Sequence, residues 1–335
     1  MAVTIKDIAK KVGVNPSTVS RVINGNASIS EETKRKILKA MEELDYHPNI
    51  MGRSLVNGST FTIGLVINAE NQDAFSNTYF IQSVTAIEIA AEKQGYNVLI
   101  TSGAQRNDKN MVKDLVLGHK VDGIILPAAS ITDDLTDLLT SNHFPFIVMG
   151  EFENPTPDTL WVDMDNEQGG RLAVRHLVER GYSHPVMFVG ERKNVFEQRR
   201  IQGFKKEMAE QHISSDQTDI IECGSDKSSA LSSIHALMNS EKSWDSIICT
   251  NNFVAYHVLC ELKKRNKRLP DDVGIITFDN YPLAEYMDPP LTVVDVDTYK
   301  LGEQAALMLF EKIKNKKSSY KNTLIPTRII PRMST

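Results

Sequence analysis

The side chains spaced for recognition in this 335-residue chain lie close to its N-terminus. From Pro16 to about Asn24 a helical period places Val19, Val22 and Ile23 inward and Ser17, Thr18, Arg21 and Asn24 outward. Hydroxyls, an amide and a guanidinium on one face can donate and accept hydrogen bonds, which is the chemistry of binding rather than of bond making. No G-x-G-x-x-G, P-loop, H-E-x-x-H or G-x-S-x-G motif occurs, and the eight histidines are scattered without metal-ligand spacing. The expectation is therefore no enzyme, no metal and no cofactor. Cys223, Cys249 and Cys260 are odd in number and also lack ligand spacing, so they read as buried free thiols of a reducing compartment.

Three short helices must position the outward face. In the first, Ile5, Ile8, Ala9 and Val12 form an apolar stripe that Gly13 ends. Asn15 and Pro16 then open the second helix as N-cap and first helical residue. Ser30 caps a third, whose stripe is Ile37, Ala40, Met41 and Leu44, with Glu31 and Glu32 complementing its dipole. Two helices joined by a short turn containing glycine, the second polar outside, make a helix-turn-helix. The charge agrees. Within residues 1–60 nine basic side chains face six acidic ones, leaving +3 there and −8 on the remainder of a chain whose net charge is −5. A basic module on an acidic body suits a protein whose N-terminus alone meets phosphates.

TIKDIAKKVGVNPSTVSRVING, followed by SEETKRKILKAMEELDYHPN and RSL, resembles the headpiece of the LacI/GalR family of bacterial repressors. The resemblance implies that Pro16 opens a recognition helix and that Ser17 and Arg21 lie over base edges in the major groove. An arginine suits a bidentate contact with guanine, worth roughly 1–3 kcal/mol of discrimination. Thr4, Thr18, Ser20 and Thr33 match positions that touch phosphates, and Asn24 ends the outward face. The stretch 49–56 matches the family's hinge helix, too short to be stable alone, and Leu55 matches the leucine that wedges into the minor groove. Gly52 weakens that hinge as a helix.

Beyond residue 60, apolar strands at 62–67, 96–101, 122–128, 144–150, 184–190, 244–250 and 273–279 alternate with amphipathic helices. Fully apolar strands between helices argue for parallel sheets covered on both faces. The fold class expected is α/β: a three-helix helix-turn-helix headpiece plus a periplasmic-binding-protein-like two-lobed core. The headpiece and hinge take residues 1–58. One lobe is expected at about 60–162 and 294–322, the other at about 163–293 and 323–335, with helix 298–314 in the first.

In such a fold a ligand sits at the strand carboxyl ends, between the lobes. Arg200, in RRIQGF, matches the family's R-x-x-G-[FW] arginine, and Asp279, in TFDN, an aspartate that accepts from ligand hydroxyls. Asn251 matches the asparagine of the usual A-N-D motif, whose aspartate is replaced here by Asn252. Asp165 is placed at the crossover between lobes. The stretch 69–84 resembles the aromatic-rich first loop of maltose-type regulators, where Phe75, Tyr79 and Phe80 offer an apolar face to a pyranose ring or else pack an interface. Trp161 is a further candidate.

The resemblance thus implies a repressor of sugar utilisation genes, maltose or another α-glucoside first among the candidates, released from DNA by its effector. The alternative is a catabolite-control regulator whose DNA binding is enhanced by a phosphorylated carrier protein docking on helix 298–314. The partners implied are an inverted-repeat operator, a sugar and a second copy of the chain, as a dimer or a tetramer. No apolar run approaches the ~18 residues of a membrane span, and no leader pattern is present, so the cytoplasm is expected.

Overall fold

The computed structural model describes residues 3–23, 29–46, 58–67, 78–102, 111–153, 155–156, 159–214, 219–224, 226–315 and 321–335. Three helices come first: α1 (Ile5–Val12), α2 (Pro16–Ile23) and α3 (Glu31–Glu43). Gly13 ends α1 at φ +77°, the left-handed conformation that glycine adopts without strain, and its N–H returns to the Ala9 carbonyl at 2.9 Å. Ile8, Val19 and Ile37, one from each helix, have no exposed surface and form a small core with Ala9 and Ala40. A Lys11–Glu43 ion pair at 2.7 Å ties α1 to α3.

The first lobe runs β1 (Thr62–Ile67), α4 (Thr78–Lys93), β2 (Asn97–Ser102), α5 (Met111–Leu117), β3 (Gly123–Pro127), α6 (Asp133–Ser141), β4 (Phe146–Met149) and β5 (Trp161–Met164). The second runs α7 (Asn166–Glu179), β6 (Pro185–Val189), α8 (Val195–Glu210), β7 (Ile220–Glu222), α9 (Lys227–Met238), β8 (Ser246–Cys249), α10 (Asn252–Lys264), β9 (Gly274–Phe278), α11 (Pro282–Tyr286) and β10 (Thr292–Asp295). The chain then returns through α12 (Thr298–Lys314), β11 (Thr323–Ile325) and β12 (Arg328–Ile330).

Each lobe is a six-stranded sheet, ordered β11-β5-β4-β3-β1-β2 in one and β12-β10-β9-β8-β6-β7 in the other. All neighbours pair parallel except β10 with β12. The pleat explains why these strands are apolar throughout. Ile63, Leu65 and Ile67 pack under α4 and α12, while Val66 points to the face covered by α5 and α6. The sheet pairing corrects the expected lobe boundaries. β5 holds the first sheet to Met164, β10 keeps the second to Asp295, and β11 pairs with β5, so the first lobe extends to Ile325. Three crossovers result, at 165, 296–297 and 326–327. The tail 323–330, which reads as one stretch, divides because Pro326 and Thr327 turn the chain from one sheet to the other. The three-residue strand β7 is too short to stand out in the sequence.

Helices α7 and α8 touch backbone to backbone. A Cβ placed on Gly203 would lie 2.0 Å from the Glu167 carbonyl oxygen, and one on Gly170 would lie 2.2 Å from that of Arg200. Glu207 of α8 is fully buried in this pair and accepts from Arg171 and from Arg175, at 2.8–2.9 Å. Burial alone would raise its pKa, but hydrogen bonds from Arg175, Gln211 and Arg171 prevail and hold it at about 2, below the ordinary 4.5. A folded pKa below the unfolded one contributes stability above pH 4.5 that is lost as pH falls toward 2. Glu207→Gln is expected to cost about 2–3 kcal/mol at pH 7, with the gap from the parent protein closing below pH 4 in denaturant melts. A gap of constant size across that range would show that the loss is packing alone.

Candidate functional site

The outward face of α2 is built as its sequence period requires. Val19 fills the headpiece core, Ser17 and Arg21 are exposed, and Thr18 and Ser20 are half-buried at its sides. Pro16 is the first residue of the helix, and the Asn15 carbonyl accepts from Thr18 N–H at 2.8 Å. Arg21 forms no ion pair among the described residues, whereas Lys34, Lys36 and Lys39 of α3 each pair with an acid of the same helix. Thr4 and Thr33 serve local structure as well. The Thr4 backbone N–H and hydroxyl both donate to Asp7, and these bonds draw the Asp7 pKa down. The Thr33 N–H donates to the capping Ser30 hydroxyl. Asn24 and Leu55, with the whole hinge 49–56, lie outside the described residues.

The second polar constellation gathers at the carboxyl ends of β6, β8 and β9. Arg200 projects from α8 and is 7% exposed. Its Nε donates to Asn166 Oδ1 at 3.0 Å and its Nη1 to the Thr250 carbonyl at 2.8 Å. The flat guanidinium lies over Phe278, 4.1 Å from the ring centre, with Phe196 at 5.2 Å. Asp279 follows β9 with φ +72° and is held by its N–H to the Val294 carbonyl at 3.1 Å. Burial pushes its carboxyl up to about 6 against the pull of Arg200, with Glu197 adding to the rise. Arg200 and Asp279 thus meet across the strand ends, and no ion pair forms between them among the described residues.

The other expected cleft residues fare differently. Asn251 caps α10, its Oδ1 accepting from Val254 N–H at 2.8 Å, so its carbonyl is committed to the helix. Asn252 is buried and reaches the Asp279 carbonyl with its Nδ2 at 2.9 Å. Trp161 packs into the first lobe's core beside Phe146 and Leu139. Phe75 lies outside the described residues, as do the side chains of Tyr79 and Phe80. Asp165 caps α7 by accepting from Gln168 N–H, and its own N–H donates to the Ile325 carbonyl, which locks two crossovers together.

Sequence reasoning missed the residues that join the two lobes. Arg199 of α8 makes a bidentate pair with Glu151 of the first lobe, at 2.8 and 2.5 Å. Glu151 N–H donates to Asp163, whose pKa burial raises, and Asp163 lies within reach of the Asn166 amide that also holds Arg200. Glu197, one helical turn before Arg200, takes the Gly190 N–H at 2.8 Å and the Thr250 hydroxyl at 2.9 Å. The i, i+3 spacing of Glu197 and Arg200 was the available signal. An arrangement of a guanidinium, carboxylates and aromatic faces can bind a hydroxyl-rich ligand, and nothing in it pairs a nucleophile with a base. Among the described residues no cluster of histidine, cysteine, aspartate and glutamate fits a metal ion, and no helix is long and apolar enough to cross a membrane.

Comparisons with known proteins bring both sites under one heading. Residues 4–49 match the family model described as bacterial regulatory proteins, lacI family, and residues 174–335 match the periplasmic binding protein-like domain. The HTH-type transcriptional repressor PurR of Vibrio cholerae serotype O1 is 31% identical over 319 residues, covering 93% of this chain and 92% of that protein. Among solved structures, the transcriptional regulator CelR in complex with cellobiose covers 99% of this chain and 100% of its own at 25% identity and TM-score 0.75. The lac repressor dimer bound to operator and the anti-inducer ONPF shares the fold at TM-score 0.78, with 22% identity over 100% of this chain and 99% of that one. With the exposed face of α2 and the two-lobed core in place, the chain belongs to the lacI family of bacterial regulatory proteins and is one of its DNA-binding transcriptional repressors.

Proposed function

We propose that this repressor holds an inverted-repeat operator as a homodimer and is released from it by a sugar bound between the lobes, with maltose the first candidate. The observation that carries the reading is the buried Arg200 and the half-buried Asp279 at the strand ends, donor and acceptor that form no ion pair with each other among the described residues. CelR, which binds cellobiose, lends support as a relative of similar architecture. On the DNA side, Arg21 and Ser17 read base edges from α2. Thr4, Thr18, Ser20 and Thr33 meet phosphates, with Pro16 setting the helix start, Asn24 its end, and Leu55 wedging into the minor groove.

Two-fold protein symmetry asks for two-fold DNA symmetry. Large apolar side chains stand exposed in patches suited to a second copy. Phe253 and Tyr256 on α10 and Leu283 and Tyr286 on α11 lie on the second lobe, and Leu99 and Ile100 lie on the edge strand β2 of the first. The rival reading, a phosphorylated carrier docking on α12, has less behind it. Leu301, Ala305, Met308 and Leu309 are buried in the lobe core, so the helix directs its apolar face inward and leaves Tyr299 and Leu307 outside.

Maltose added to the protein on duplexes selected from a random pool is expected to weaken binding about 5- to 150-fold, the usual range of coupling between sites. Tighter binding on addition would reverse the sign and overturn release. Arg21→Ala is expected to cost about 1–3 kcal/mol on the selected duplex and little on random DNA, read by competition at fixed salt. Equal loss on both would remove Arg21 from base reading. Because an accepting Asp279 must be ionised, sugar affinity is expected to fall about tenfold per pH unit below about 6. Asp279→Asn would flatten that calorimetric profile, and a profile unchanged by the substitution would take Asp279 out of the contact.

A further inference from the structure

Glu197 is 2% exposed, and one of its oxygens is accounted for: Oε1 receives the Gly190 N–H and the Thr250 hydroxyl. The other is not. Oε2 is buried with no hydrogen-bond partner among the described residues, and so is Oδ1 of Asn252, whose amide is held by the Asp279 carbonyl. Buried acceptors without donors are uncommon and costly, and each calls for an explanation. The chain makes room for this carboxyl. A Cβ on Gly190 would come within 2.9 Å of Oε1, so glycine at the end of β6 leaves the space that Glu197 fills.

The charge around it is lopsided. Asp163, Glu197 and Asp279 all feel the single guanidinium of Arg200, and burial raises the pKa of all three. Arg200 directs two of its donors to neutral oxygens of Asn166 and Thr250 and not to a carboxylate. Once ionised, the strand ends therefore carry more negative than positive charge together with unfilled acceptors. A ligand that brings hydroxyl donors and no charge of its own completes such a site, and one bearing a phosphate is repelled by it.

We propose that Glu197 is a specificity-determining residue of the cleft: its free oxygen accepts from a hydroxyl of the effector, and its charge restricts the effector to unphosphorylated sugars. The inference rests on the sugar reading of the cleft. Glu197→Gln isolates it, because the amide oxygen can keep the Gly190 and Thr250 bonds while the free acceptor becomes a donor. The full-length protein at pH 8 would be titrated calorimetrically with maltose, cellobiose and ribose, and with maltose 6′-phosphate, glucose 6-phosphate and ribose 5-phosphate. The parent protein is expected to bind a neutral sugar and to bind its phosphate at least about tenfold more weakly. E197Q is expected to lose about tenfold or more for the neutral sugar, to narrow the gap to the phosphate, and to keep the ligand-free Tm.

Neutral-sugar binding untouched by E197Q, or a parent protein that prefers the phosphate, would overturn the role of Glu197 and leave the sugar reading standing. Failure of the parent protein to bind any of the six would overturn the sugar reading and the inference with it. If E197Q does not fold, the contrast between sugar and sugar phosphate on the parent protein still decides the charge argument.

Discussion

The close crossing of α7 and α8 is the constraint on which the functional arrangement depends. At Gly170 and Gly203 the two backbones approach to a distance that no side chain would permit. That contact sets α8 firmly against the crossover helix, and the residues one turn earlier on α8 are thereby aimed at the junction of the lobes. Arg199 reaches outward to Glu151 of the first lobe, while Arg200 reaches inward to Asn166 and Thr250. The glycine of the R-x-x-G-F motif is therefore a packing requirement, and the arginine three residues before it owes its direction to that packing. Glu207, farther along the same face, fastens the pair with two arginines of α7.

From this anchor a polar chain runs between lobes. Glu151 and Asp163 belong to the first lobe, Asn166 opens the helix after the crossover, and Arg200 and Thr250 belong to the second lobe. A ligand that engages Arg200 thus acts on a group already bonded to the residue beside a crossover. This gives a physical route by which occupancy of the cleft could change the relation of the lobes, since coupling requires differential contacts in two states and not mere proximity. The Arg199–Glu151 pair lies on the same path. Its arginine is partly exposed, so its contribution is modest, and a pair of that strength can be broken and remade without unfolding either lobe.

What was legible in the sequence follows from where burial is complete. The strands of both sheets are covered on two faces and so appear as unbroken apolar runs, and the headpiece helices show single stripes because one face alone is buried. Boundaries were harder. The tail 323–330 reads as one element because both of its halves are strands, and the choice of sheet for each is made by long-range pairing that no local pattern encodes. At the strand ends, motif matching points to Arg200 and Asp279 but not to Glu197, whose unpartnered oxygen among the described residues is visible only in three dimensions. Asn251 illustrates the reverse: its motif marks a ligand residue, while its carbonyl caps a helix.

The charge division seen in the sequence acquires a reason in this frame. A body carrying −8 repels the phosphate backbone, and the acids left uncompensated at the cleft belong to that body. Attraction to DNA is confined to a headpiece of +3 in which the lysines of α3 are largely paired with acids of their own helix, while Arg21 forms no ion pair among the described residues. So small an electrostatic surplus holds DNA weakly when one headpiece acts alone, because non-specific affinity grows with the number of phosphates neutralised. Two headpieces acting together gain an effective concentration that one lacks. The affinity then depends on how the cores present them. On the proposed reading, a change at the lobe junction that altered how two cores present their headpieces would change DNA binding without touching α2.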